Sequence, residues 1–180
     1  MQVYPKNNFG EIALLVLLSL FWGASFTLIE VAIITIPPAT IVFARILIGS
    51  LILCAMVLWY RIEFPNTPTK WWHLSVQGML QSALPFSLIT WGQQYIDSGL
   101  AGLLSTTPPL FVFLIGFLLY RERRAALRKC LGLAIGFAGI LLIMGPDAFT
   151  GMNRSAQGQL AVLAASLSYA AAAFYARRFS

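Results

Sequence analysis

The chain has 180 residues, 59% hydrophobic and only 10% charged, with 12 Lys+Arg against 6 Asp+Glu. A water-soluble domain carries about 25% charged residues, so this chain has too little charge to cover a water-facing surface. The net charge of +6 does not point to nucleic acid either, because the basic residues fall between apolar runs instead of forming one patch.

A hydrocarbon core about 30 Å thick takes about 20 helical residues to cross. Six segments meet that length, near 12–34, 38–60, 73–95, 99–120, 129–146 and 157–177. The runs are continuously apolar and do not alternate with period two, which selects helices over barrel strands. The expected fold is therefore an all-α integral membrane bundle of about six transmembrane helices. The first run, from Ile12 to about Ile36, is too long for the core of a cleavable signal peptide. Breakers separate the runs: Pro37-Pro38, Pro65 to Pro68, Asp97-Ser98-Gly99 and Gly145-Pro146-Asp147.

Charge placement predicts orientation. Lys6, Arg61, Lys70, Arg121, Arg123, Arg124, Arg128, Lys129, Arg177 and Arg178 fall on one side, 10 of the 12 basic residues. Only Arg154 falls on the other side, and Arg45 lies inside the second run. The positive-inside rule then makes both termini cytoplasmic, in a multi-pass protein of the inner (plasma) membrane. Trp59, Tyr60, Trp71, Trp72 and His73 read as an aromatic belt at the cytoplasmic interface.

Covalent chemistry is not expected. Cys54 and Cys130 sit in separate apolar segments, and the single His73 leaves no metal-ligand cluster. There is no P-loop for ATP hydrolysis and no HExxH, and no His or Lys stands at membrane depth beside a serine. The expectation is a non-enzyme with no catalytic residue, cofactor or metal.

Several motifs in order carry a family resemblance. Phe21-Trp22-Gly23-Ala24-Ser25-Phe26 resembles the WGxxF opening of EamA-type drug/metabolite transporters, and Pro37-Pro38 with Ala44-Arg45 resembles their second-helix pattern. Ser98 to Pro109 is similar to the family's third-to-fourth-helix signature, and Gly132 to Asp147 to its fifth helix. Gly158-Gln159-Leu160 through Tyr169 to Arg177-Arg178 looks like the start of a second repeat. One departure is a loop between Glu122 and Gly132 that is one residue longer than usual. The resemblance implies half of a ten-helix inverted-repeat fold: a cytoplasmic segment over 1–11, a first five-helix repeat over 12–146, and the first helix of an incomplete second repeat over 157–180. It also implies secondary transport of small metabolites or drugs, amino acids among them, by alternating access. The rival reading is a non-transporting remnant or membrane assembly partner. The implied partners are the lipid bilayer and a small-molecule substrate, with no nucleic acid. A homo-oligomer is conceivable, although an even helix count does not generate the inverted partner of a five-helix repeat.

Such a protein needs polar groups facing a cavity and helices that bend. Glu30 and Arg45 are charged residues well inside the expected spans, where ionisable groups usually face a partner or a wet cavity. Their depths, roughly 6–9 Å and roughly 10 Å below the outer helix ends, suit an ion pair. That pair is either a fixed bridge or a titratable gate. In the third run Gln77, Gln81 and Pro85 recur at i, i+4 and i+8, a polar stripe with Trp91 further on. The stripe serves either interhelical hydrogen bonding or cavity lining. Pro85 should kink this helix, and Pro108 and Pro109 should weaken the fourth near its middle, where Thr106 and Thr107 either line a substrate cavity or flank a static kink. Trp22, with Ser25 in the same motif, and Tyr169 are either cavity walls or packing. Gly132, Gly136, Gly139, Ala161 and Ala165 read as small residues that let helices approach closely.

Overall fold

Prolines open three of the helices in the computed structural model of the chain, which describes residues 8–120, 131–132, 134–136, 138–139, 142 and 154–177. The fold is all-helical and polytopic, with no strand among the described residues. α1 spans Asn8–Ala32, and α2 spans Pro38–Trp59 with Pro38 at its first position. Pro is suited to that position, because its missing N–H would have no helical partner there. α2 ends with Arg61 at φ 51. Arg61 N donates to Leu58 O and Ile62 N to Val57 O, the paired bonds of a Schellman cap.

The next helical run is continuous from 68 to 92, but it is not uniform. α3 (Pro68–Gly78) passes through a π turn at Met79–Ala83 into α4 (Leu84–Gly92). Pro85 is the cause, since it has no N–H to continue the ladder and its ring crowds the preceding turn. Leu84 N reaches back to Met79 O, skipping Leu80 O. α5 (Ser98–Leu104) and α6 (Pro108–Tyr120) form one crossing broken at Ser105–Thr107. The last described helix is α7 (Arg154–Arg177).

Four stretches are long and apolar enough to cross a membrane: Gly10–Ala32, Pro38–Trp59, Ser98–Leu118 and Ser155–Arg177. The run over 68–92 is helical at the position expected for the third crossing, yet it is more polar and is not among these four. Most of the fifth expected run lies outside the described residues, as do the basic cluster from Arg121 to Lys129 and the Gly145-Pro146-Asp147 turn.

α7 is the packing centre. Of its apolar span 44% is buried, against 6% for α2, and it lies along α4 more extensively than along any other helix. Small residues permit this: Ala161, Ala165, Ala170 and Ala172 are buried on α7. At the closest point, a Cβ added to Gly92 of α4 would lie 2.8 Å from Gly158 O, and one added to Gly158 would lie 2.7 Å from Gly92 O. Phe26, Ile89, Ile96, Ala101, Leu104, Val162 and Ala165 form the core between α1, α4, α5 and α7. The expected close packing of Ala161 and Ala165 is seen. Gly136 lies against Leu110 of α6, whereas a Cβ at Gly132 or Gly139 would meet nothing within 4 Å among the described residues.

Candidate functional site

Two adjoining concavities, with Trp22 and Phe26 in the lining of both, lie where these helices meet. The larger is an open groove of about 650 Å3 between α1 and α5, floored by Trp22, Phe26, Gly102 and Thr106. Trp22 and Phe26 also wall a much smaller pocket of about 10 Å3, with Ser25, Arg45, Phe86 and Tyr169. That volume is close to the room one water needs. Trp22, Ser25, Phe26 and Ile29 reach the small pocket because i, i+3, i+4 and i+7 share one helical face. Arg45 arrives from α2, Phe86 and Ile89 from α4, and Tyr169 from α7. Four helices are needed to build it.

Arg45 is half-buried, with its guanidinium carbon 4.1 Å from the centroid of the Phe86 ring. Tyr169 OH is buried and has no hydrogen-bond partner among the described residues. Ser25 Oγ donates to Trp22 O at 2.6 Å, leaving its lone pairs free. Nearby, the buried Gln93 donates from Nε2 to Phe26 O at 2.9 Å, while its Oε1 has no partner among the described residues.

The structure thus brings together Trp22, Ser25, Arg45 and Tyr169, with Thr106 in the adjoining groove. It separates others. Glu30 and Arg45 do not form the expected ion pair: Glu30 Oε2 accepts from Ser98 N at 3.2 Å, and Arg45 turns toward Phe86. The reason is rotation. Similar depth placed the two residues level, but Glu30 faces the start of α5 while Arg45 faces α4 and α7. The polar stripe on the third run is also broken. The π turn inserts an extra residue between Gln77 and Pro85, which rotates the downstream residues by about 100°. Gln77 is half-buried with Oε1 unpartnered among the described residues, whereas Gln81 is exposed. Trp91 packs edge-on against Tyr95 at 5.0 Å and lies away from both concavities. Thr107 caps its own helix break through Oγ1 to Leu104 O at 2.7 Å.

Two serines of α7 were missed in the sequence reading. Ser168 Oγ donates to Leu80 O at 2.8 Å, the carbonyl that the π turn skips. Leu104 O lacks the ladder donor that Pro108 cannot supply; Thr107 N and Thr107 Oγ1 donate to it locally, and Ser166 Oγ adds a donor from α7 at 3.2 Å. Each proline predicts a freed carbonyl four residues upstream or close to it. Which distant hydroxyl serves it depends on how α7 is seated. Around His73, Nδ1 lies 2.7 Å from Tyr175 OH, so the belt residue also ties α3 to α7.

Known proteins place this architecture. Residues 9–145 match the model of the EamA-like transporter family. The chain is 27% identical over 159 residues to the uncharacterized transporter YoaV of Bacillus subtilis, covering 88% of the chain and 54% of that protein. It is 29% identical over 160 residues to protein PagO of Salmonella typhimurium, covering 87% of the chain and 51% of PagO. Against the uncharacterized transporter YvbV of Bacillus subtilis it is 29% identical over 178 residues, 99% of the chain and 56% of the relative. The chain thus spans about half the length of the curated relatives it matches. No solved structure matches it. With a family match over most of its length and relatives named as transporters, this multi-pass membrane chain belongs to the EamA-like transporter family.

Proposed function

We propose that the chain acts in secondary transport of small metabolites or drugs, with the substrate held where α1, α2, α4, α5 and α7 converge. The observation that carries this reading is the groove of about 650 Å3 that adjoins the four-helix pocket at Arg45 and Tyr169. Broken helices beside such a site suit alternating access, because bending at Pro85 and at Pro108-Pro109 moves the walls without breaking the core. In this reading both termini are cytoplasmic in the inner membrane, and α7 is the first helix of a second repeat. The family match ending at residue 145, before α7 begins, supports that division.

The test is reconstitution of the chain in liposomes loaded with a mixture of labelled amino acids, organic acids and amines. Loss of any class faster than from protein-free liposomes is the expected result. Retention identical to protein-free liposomes for every class would sink transport by this chain and leave the rival, a membrane assembly partner.

A further inference from the structure

The small pocket holds a cation with no anion opposite it among the described residues. Arg45 lies within the span of α2, and its contact is the Phe86 ring at 4.1 Å. Among the described residues no carboxylate pairs with it, and Glu30 is engaged at Ser98 N. A guanidinium at membrane depth is costly unless an anion or a wet cavity faces it. The aromatic face offsets part of that cost but accepts none of the five N–H bonds a guanidinium offers. Tyr169 adds a second donor to the same pocket, its OH buried and unpartnered among the described residues. A carboxylate oxygen would satisfy both, accepting hydrogen bonds while its negative charge meets the guanidinium.

Size and surroundings narrow the choice. A pocket of about 10 Å3 takes little more than the terminal oxygen of a ligand, and a single cation does not balance a doubly charged phosphate. Trp22 and Phe26 line both concavities, so the groove and the Arg45 pocket adjoin at these two side chains. The groove's lining includes the apolar side chains of Leu18, Trp22, Phe26 and Leu103. We infer that Arg45 and Tyr169 receive the carboxylate of a small amphipathic substrate whose apolar body lies in the α1–α5 groove. This rests on the transporter reading and names the substrate class of its site.

Phenylacetate and phenylacetamide share a shape and differ in charge, which makes them suitable probes. Titrated calorimetrically into the full chain in detergent, with empty micelles subtracted, phenylacetate should bind at least about tenfold more tightly than phenylacetamide. Arg45→Gln should abolish that preference and Tyr169→Phe should reduce it, with Arg45→Lys keeping a part. Equal affinity of the unmodified chain for the two probes, or binding of neither, overturns the inference whether or not any variant folds. So does displacement of phenylacetate by an equal concentration of chloride, which would mark a plain anion site. Transport of neutral solutes without carboxylate preference would overturn this inference and leave the transporter reading standing. Carboxylate binding without liposome transport would do the reverse.

Discussion

Single side chains in this protein are judged by what they meet across a helix interface. Gly92 and Gly158 show this most sharply, because each lies within van der Waals reach of the other's carbonyl oxygen. A methyl group at either position meets backbone, which cannot rotate away, so α4 and α7 must separate. Gly92→Ala or Gly158→Ala should destabilise the chain by about 1–3 kcal/mol in detergent unfolding. Gly49→Ala, where a Cβ meets open space, should be neutral or raise stability by about 0.5–1 kcal/mol. Equal behaviour of the three variants would contradict the reciprocal contact. Glu30 illustrates the same dependence on partner. Its depth in the bilayer was readable, but the choice of Ser98 N over Arg45 follows from which way α1 is turned.

Among the helices, the informative features are the two proline breaks and the helix that serves both. α7 lends Ser168 to the π turn ahead of Pro85 and Ser166 to the break ahead of Pro108. Freed carbonyls in a low-dielectric interior are tolerated when a neighbouring hydroxyl takes them up. Ser168→Ala should therefore cost about 1 kcal/mol. In a Pro85→Ala background the ladder regains its N–H, Leu80 O finds a helical partner, and the same serine change should become nearly silent. A double-mutant cycle on unfolding free energy checks this, and additive effects would refute the link between Ser168 and the π turn. These breaks also account for what was legible beforehand. Pro85, Pro108 and Pro109 announced bends from composition alone. The π turn did not announce itself, because nothing in a 3.6-residue periodicity signals an inserted residue. For that reason Gln81 was expected beside Gln77 and is instead exposed.

For the molecule in its bilayer, α1 and α2 expose broad apolar surfaces while α7 is the most buried of the candidate spans. That division suits a lipid-facing rim around a packed centre, since lipid accepts apolar side chains as readily as a core does. Orientation is a further property of the whole chain, and it can be read with cysteines in a background lacking Cys54 and Cys130. With the N-terminus cytoplasmic, Asp97→Cys between α4 and α5 should react with an impermeant maleimide in intact cells. Thr67→Cys, just before α3, should react only after the membrane is opened. The opposite pattern would reverse the proposed topology.

Hydrophobic length, proline position and the distribution of Lys and Arg are properties of the linear chain. They were enough to indicate an all-helical membrane protein, to place four of its crossings and its proline bends, and, through a handful of motifs, to name its family. Bilayer thickness imposes those features on each segment separately, so no neighbour is needed to read them. Pairing is different. Arg45 with Tyr169 and Phe86, Glu30 with Ser98, and the α7 serines with Leu80 and Leu104 all depend on helix rotation and close approach. Those are set by small-residue contacts such as Gly92 with Gly158 and by the register shift at the π turn. Both arise when helices pack together, and so the candidate site took shape only in the assembled bundle.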